Sequence, residues 1–561
     1  MANRLREALQ SGEFVVTCEI IPGRGANESA QRREFEEAQA IWETGRTHAV
    51  SITDNPSGNP ALLADAFAHD FFDHKITPLV HMTCKDRSRN QFQSQFYALQ
   101  RTGIENLLVM SGDYQTTGWQ GRGRPVFDLD PVQLLMMIGD MNEGLTQQTA
   151  KGEFREAPAH FFAGAVVNPF KYTEGETMTQ YLKLEKKICA GARFIISQLG
   201  YDSHKMQEVL TYLRERGYRT PLIANVFLLT VGAAHMMRAG SIAGCSISDE
   251  LMATLEQEAK AEDRGAAARH LRAAKMIAIA RGQGYAGVHI GGFGITVDVF
   301  NHILDAAEEL QEHWQDWALE LTYGKPGGFF FYTPQGSEAS HSAVVRTEAP
   351  APASASALVE APRTEAPRTE SPRTEAPRTE VVRTRKLMRG YGLSRFFHRL
   401  VLTRNRGFYG LLAAVMDRRE RKKGLHRSHA LEHLGKTILY GCMDCGDCGL
   451  EAAIYTCPMT QCPKCQRNGP CGGSTEGWCE VYPGERYCIY FKAYHRLKRY
   501  DELDKLDSFI TPPNNWDFYE TSGWSNYTHE RDNAARRISL PPRGQRTGLL
   551  PLEQRTEGIQ K

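Results

Sequence analysis

The 561-residue sequence has almost no net charge, 67 Lys+Arg against 66 Asp+Glu. That balance excludes a dedicated nucleic-acid coat or membrane-surface protein, which needs a large field of one sign. No run approaches the roughly 18–20 apolar residues that span a bilayer. The first residues, MANRLREALQSGEFVV, lack the apolar core of a secretory signal. A cytoplasmic protein with no membrane partner is the expectation. There is no Gly-x-x-x-x-Gly-Lys-Ser/Thr phosphate loop. The one Gly-x-Gly-x-x-Gly, residues 282–287, precedes a β-rich run, whereas a dinucleotide fingerprint follows one. No His/Asp/Glu set in the first half has metal-ligand spacing, which disfavours a metal hydrolase there.

What is there in excess is cysteine, and in one place. Cys18, Cys84, Cys189 and Cys245 are scattered; the other nine of the 13 fall between Cys442 and Cys488. Without a secretory signal, disulfides are not expected, and a cytosolic cysteine cluster points to a metal or iron–sulfur site.

The clearest boundary is a repeat of Arg-Thr-Glu-Ala/Ser-Pro between Arg346 and Arg383, of period five. That period fits neither helix nor strand, and each Pro removes a backbone donor. A solvated tether is predicted, spanning about 35 Å if flexible. It divides the chain into a domain at 1–325, a linker at 326–384, a basic helical segment plus cysteine-rich domain at 385–500, and a polar tail at 501–561. Between residues 385 and 440, 14 Lys or Arg face three acids, read as a solvated helix face. The aromatic patch between Trp516 and Trp524 is expected to pack back on a domain.

In the first domain, β-rich runs recur at residues 14–20, 48–53, 76–83, 106–113, 161–168, 193–199, 221–229 and 285–291. Segments with the three-to-four spacing of amphipathic helices separate them. Eight such units predict a (β/α)₈ barrel, with a doubly wound open sheet as the runner-up. Barrel chemistry sits at the C-terminal strand ends, and here those ends are polar. They carry Cys18-Glu19, Thr53-Asp54-Asn55, His81-Met82-Thr83, Ser111-Gly112-Asp113, Asn168-Pro169, Ser197-Gln198 and His289. Their convergence predicts one pocket holding two carboxylates and two imidazoles, with burial separating the pKa values of the two acids.

These residues resemble the methylenetetrahydrofolate reductase family, through Cys18-Glu19-Ile20-Ile21-Pro22, Ser51-Ile52-Thr53, His81-Met82-Thr83-Cys84, Ser111-Gly112-Asp113 and Ile196-Ser197-Gln198, in order across residues 1–315. The resemblance implies a flavin barrel, FAD or FMN, interconverting 5,10-methylenetetrahydrofolate and 5-methyltetrahydrofolate in one-carbon metabolism and methionine biosynthesis. It makes Glu19 the general acid at folate N10, with a pKa raised by a dry pocket. Asp113 would bind the pterin and tune the flavin, and Gln198 would bind folate. Thr53 and His81 would contact the flavin, Lys187 its phosphate, and Asn168 its ribityl side. Two positions depart from the family pattern. Ser111 stands where many members carry Arg, and no aromatic follows strand seven, which reads Leu229-Thr230-Val231-Gly232. Electrons would come from NAD(P)H or, through the cysteine domain, from a redox protein.

The cysteine spacing is Cys442-x₂-Cys445-x₂-Cys448-x₈-Cys457, then Cys462-x₂-Cys465-x₅-Cys471-x₇-Cys479-x₈-Cys488. Three thiolates at two-residue gaps suit a cubane cluster; Cys-x₂-Cys pairs equally suit tetrahedral zinc. Nine cysteines allow two four-ligand sites with one left over. The segment resembles the cysteine-rich domain that accompanies some methylenetetrahydrofolate reductases, fused or as a partner subunit. A folate-barrel methyltransferase without flavin and a zinc-module binding protein are the competing readings, and a homo-oligomer is left open.

Overall fold

A computed structural model of the chain describes residues 2–332, 387–404, 407–424, 426, 429–543, 545–546, 548–551 and 554. The Arg-Thr-Glu-Ala-Pro repeat lies outside the described residues.

Eight strands close into a barrel: β1 (Val15–Ile20), β2 (Ala49–Ile52), β3 (Pro78–Thr83), β4 (Asn106–Met110), β5 (Phe162–Val167), β6 (Ile195–Ser197), β7 (Leu222–Leu228) and β8 (Gly287–Gly292). Each is parallel to its neighbours in sequence, and β8 closes on β1. The strands are nearly continuous Val, Ile and Leu because both faces are covered, by helices outside and by packed side chains within. The predicted runs coincide with these strands to within about three residues, and the open-sheet alternative falls. The N-terminal helix Arg4–Ser11 plugs the base, its Leu5 and Leu9 packing on Val15, Leu79, Leu108 and Ile223. With the base apolar and sealed, the polar strand ends are left at the opposite mouth.

The residues after the described gap form a second body docked on the barrel. It contains the helices Tyr391–Phe397, Tyr409–Lys423, Ala430–Tyr440 and Ile489–Lys498. Between Tyr440 and Ile489 the chain runs through turns with little regular structure, and Asp444, Ile454, Tyr455, Cys465 and Glu476 have positive φ. Its apolar core is two small clusters: Ala453, Ile489 and Tyr490 with the flanks of Cys462 and Cys488, and Tyr391, Ile454, Ala493, Tyr494, Leu497 and Leu506 packed on Leu182 of the barrel. The basic helices keep polar surface in solvent but also expose Leu431, Ile438 and Leu439.

The seam between the two bodies is polar. Fourteen of the 16 residues of the barrel helix Glu174–Cys189 are buried although most are polar. Its Lys183 Nζ donates to Gln466 Oε1 at 2.7 Å and to the carbonyls of Gly469 and Pro470 at 3.1 and 3.0 Å. Asp130 caps the helix Pro131–Glu143 with one carboxylate oxygen; its other oxygen accepts from Arg467 N, Asn468 N and Asn468 Nδ2 at 2.8–3.1 Å. The C-terminal tail continues around the barrel. Trp516 Nε1 donates to Asp128 at 3.1 Å, Arg546 pairs with Glu185 at 2.8 Å, and Ile510, Ile538, Leu540 and Leu550 join the barrel core. The polar tail of the sequence reading is therefore a strap, packed back as the aromatic patch suggested. Among the described residues, no helix is long and apolar enough to cross a membrane.

Candidate functional site

The barrel mouth holds a cavity of about 350 Å³. Glu19, Thr53, His81, Ser111, Asp113, Asn168, Lys187 and Gln198 all line it, as do Asp54, Asn225, Phe227 and His289. The strand register explains the innermost cluster. Thr17 on β1 faces His289 on β8, and Glu19 faces Ser51 on β2. Thr17 Oγ1 meets His289 Nδ1 at 2.8 Å, and His289 Nε2 meets Glu19 Oε2 at 3.2 Å, forming a Thr17–His289–Glu19 relay. Ser51 Oγ holds His81 Nε2 at 2.7 Å. Burial depresses the His81 imidazole to about 4, so it is neutral at pH 7.

The two acids separate as expected but in the opposite order. Burial pushes Glu19 up, yet the hydrogen bond and charge of His289 outweigh it and hold the carboxyl below its usual range. The raised pKa expected for Glu19 is thus corrected: the His289 ring compensates its burial. Burial raises Asp113 and neighbouring Glu480 adds to the rise, against Lys464 and the Ser57 N–H. Asp113 Oδ2 accepts from Ser57 N at 2.7 Å. Asp54 is structural, clamped by Arg87 and Thr83 Oγ1, both at 2.6 Å.

A second correction concerns metal spacing. Ligand atoms of Glu19, His81 and His289 lie within 4.8 Å of one another. The barrel brings them together from three strands, which spacing along the chain could not show.

Several contacts bear on a phosphate-bearing cofactor. Lys187 is buried, and its Nζ donates to the Val166 carbonyl. Among the described residues no carboxylate lies within ion-pair distance of it. Burial and neighbouring Lys183 lower it to about 7. A buried ammonium without a counter-charge suits an incoming anion. Thr53 Oγ1 and Asn225 Oδ1 are buried and have no hydrogen-bond partner among the described residues. Gln198 Oε1 accepts from Leu199 N at 2.9 Å. Asn168 Nδ2 is engaged by the carbonyls of Gly244 and Gly472 at 2.7 and 3.0 Å, so its amide ties down a loop of the cysteine body. Phe227 and Phe293 meet edge-on, ring centroids 6.3 Å apart, at the cavity. These are aromatics that a search after strand seven missed, because one lies within β7 and the other after β8.

The outer wall comes from the cysteine body: Lys464, Cys471, Gly472, Gly473 and Glu480. Nothing in the sequence pattern signalled this, since the residues lie in an aperiodic loop.

All thirteen cysteines are thiols. The nine clustered ones fall into two electrostatic groups. Burial raises eight of them, and cysteine neighbours within a group add to the rise. Cys442, Cys445, Cys448 and Cys457 form the first. Cys462, Cys471, Cys479 and Cys488 form the second, with Cys471 near 11 and Cys488 near 12. Cys465 lies between, coupled to Cys457 and Cys462. Backbone N–H groups point at the sulfurs of Cys442, Cys448, Cys462, Cys471, Cys479 and Cys488. Such donors favour thiolates. Among the described residues no three of these sulfurs lie within 4.8 Å of one another; beside the first group, His429, His433 and Asp444 do approach that closely.

The sequence model for methylenetetrahydrofolate reductase matches residues 4–294, and that for the methylene-tetrahydrofolate reductase C terminal matches residues 425–517. Among solved structures, an uncharacterized Clostridium thermocellum protein that binds two copies of 5-methyl-5,6,7,8-tetrahydrofolic acid is 12% identical, with TM-score 0.40, over 55% of this chain and 99% of that one. Mycobacterium tuberculosis tryptophan synthase is 12% identical, with TM-score 0.28, over 58% of this chain and 100% of that one.

Proposed function

The chain belongs to the methylenetetrahydrofolate reductase family, and from that premise we propose that it interconverts 5,10-methylenetetrahydrofolate and 5-methyltetrahydrofolate through a flavin bound at the barrel mouth. The observation that carries this reading is a single cavity joining the Glu19–His289 relay, Asp113 and the uncompensated Lys187. The residues fit a flavin nucleotide: Lys187 would take a phosphate, and the unsatisfied Thr53 and Asn225 side chains would take polar groups of the cofactor. When bound, the flavin supplies the hydride chemistry.

The chain's own residues handle the proton and the substrate. Glu19 would hand a proton to folate N10, and the Thr17–His289 hydrogen bonds fix the carboxyl that carries it. Asp113 and Gln198 accept and orient the pterin. Neutral His81, locked on Ser51, packs beside the relay without adding charge.

The cysteine body fits a metal. Its buried thiols repel one another as thiolates, and only a multivalent cation at each centre offsets that. The run Cys442-x₂-Cys445-x₂-Cys448 in the first group suits an iron–sulfur cluster, while Cys-x₂-Cys pairs equally suit tetrahedral zinc. Cys471 belongs to the second group and also lines the cavity, which supports electron transfer between a cluster there and the flavin. The Phe227–Phe293 pair favours a second reading of the donor, a nicotinamide stacked at the rim.

The test is anaerobic purification of the full chain with a visible spectrum and metal analysis. Flavin absorbance near 450 nm with iron is expected; a colourless, iron-free protein would favour the methyltransferase reading. Rapid bleaching of the flavin by NADH alone assigns the donor to the nicotinamide. In the same preparation, Glu19→Gln is expected to lower kcat by about 10²–10⁴-fold while leaving bound flavin unchanged. Loss of flavin in that variant would show that Glu19 acts by holding the cofactor.

A further inference from the structure

Lys464 enters the barrel pocket from the cysteine body and is only 3% exposed. Its Nζ donates to the Gly112 carbonyl at 2.6 Å and pairs with Glu480. Asp113 also faces it electrostatically. Gly112 has φ +77°, and a Cβ there would come within 2.7 Å of Thr83 Cβ, so only glycine makes the turn that presents this carbonyl. One residue earlier, Ser111 Oγ donates to Gln466 Oε1 at 3.1 Å, the same oxygen that takes Lys183 Nζ. The turn carrying Asp113 is therefore held on one side by Ser57 and on the other by residues 464–466.

Two carboxylates, Asp113 and Glu480, line one cavity, and the Lys464 ammonium joins them, paired with Glu480 and bonded to the carbonyl beside Asp113. Removing it would leave two uncompensated acids, a larger loss than one hydrogen bond.

We propose that Lys464 is a positioning residue of the substrate pocket, its ammonium fixing the Ser111–Gly112–Asp113 turn and setting a positive charge between Asp113 and Glu480, so that the pocket is complete only with the cysteine body docked. The inference rests on the flavin and folate reading above and deepens it.

The test uses the full chain with its metal, comparing wild type, Lys464→Met, Lys464→Arg and Glu480→Gln. The readouts are the Kd of 5-methyltetrahydrofolate, the flavin midpoint potential, metal content and melting temperature. Lys464→Met is expected to weaken folate at least tenfold. It should also lower the potential by a tenfold change in relative affinity for reduced and oxidised flavin, about 30 mV for a two-electron couple. Glu480→Gln should raise the potential, and Lys464→Arg should restore the sign of charge and part of the affinity. A purely structural role would not give opposite shifts. Unchanged affinity and potential in Lys464→Met, or shifts of the same sign in Lys464→Met and Glu480→Gln, overturn the inference. Where Lys464→Met loses metal or melts early, Glu480→Gln decides: a raised potential supports the inference and any other result overturns it. If wild type takes up neither flavin nor folate, the underlying reading falls and takes this one with it. If wild type binds both and the variants match it, only this inference falls.

Discussion

The barrel and the cysteine body are stabilised by different physics. In the barrel, the strands are buried on both faces, and the core forms two extensive layers, one inside the barrel on the base plug and one between the strands and the surrounding helices. In the cysteine body, two small apolar clusters sit among tight turns with left-handed residues and buried polar groups. The first region can lose a side chain and remain a barrel. The second depends on whatever draws its thiols together, because so small a core does not offset the entropy of ordering the chain. Regularity and self-sufficiency go together here, and the irregular region leans on a metal and on its neighbour.

The largest expected effect tests that dependence. Removing the metal by chelation should cost the cysteine body on the order of 10 kcal/mol of coupled folding free energy. Amide protection should vanish over residues 442–500 and persist in β1–β8; protection surviving in the cysteine segment would break the contrast.

A smaller effect sharpens the other side. His81 has a folded-state pKa near 4 against about 6.5 unfolded. The unfolded chain binds the proton first, so the stability from the neutral buried ring is fully present above pH 6.5. It is lost as pH falls towards 4, by roughly 3 kcal/mol. Urea unfolding followed by a barrel probe should show that loss, and His81→Gln should flatten it.

The smallest effect lies at Lys187. Its pKa near 7 should rise when a phosphate arrives, so binding takes up a proton above pH 7. Cofactor affinity should then fall with rising pH, by up to about tenfold per unit. Titration calorimetry checks this, and Lys187→Met should bind weakly with no pH slope.

Much of the barrel was legible because Val- and Ile-rich runs alternate with amphipathic segments and end in polar residues. The convergence of Glu19, His81, Asp113 and Gln198 follows from that alternation. The Thr17–His289–Glu19 relay was not legible, since it depends on cross-strand register, which a chain without an alignment does not reveal. Nor was the docked surface. Thr179, Gln180, Lys183 and Lys186 on the helix Glu174–Cys189 are polar, yet they are buried. The partners that bury Lys183 are loop carbonyls, which leave no hydrophobic period to detect. The strap was half visible: its aromatic patch invited packing, while Arg546 reaching Glu185 had no local signature.

The helix Glu174–Cys189 carries one further consequence. Lys183, which grips the cysteine body, and Lys187, which waits in the barrel pocket, are four residues and about 6 Å apart on a rigid rod. One residue inserted between them would swing one lysine about 100° away from its target. This single turn of helix has a fixed gauge, and both halves of the molecule are measured against it.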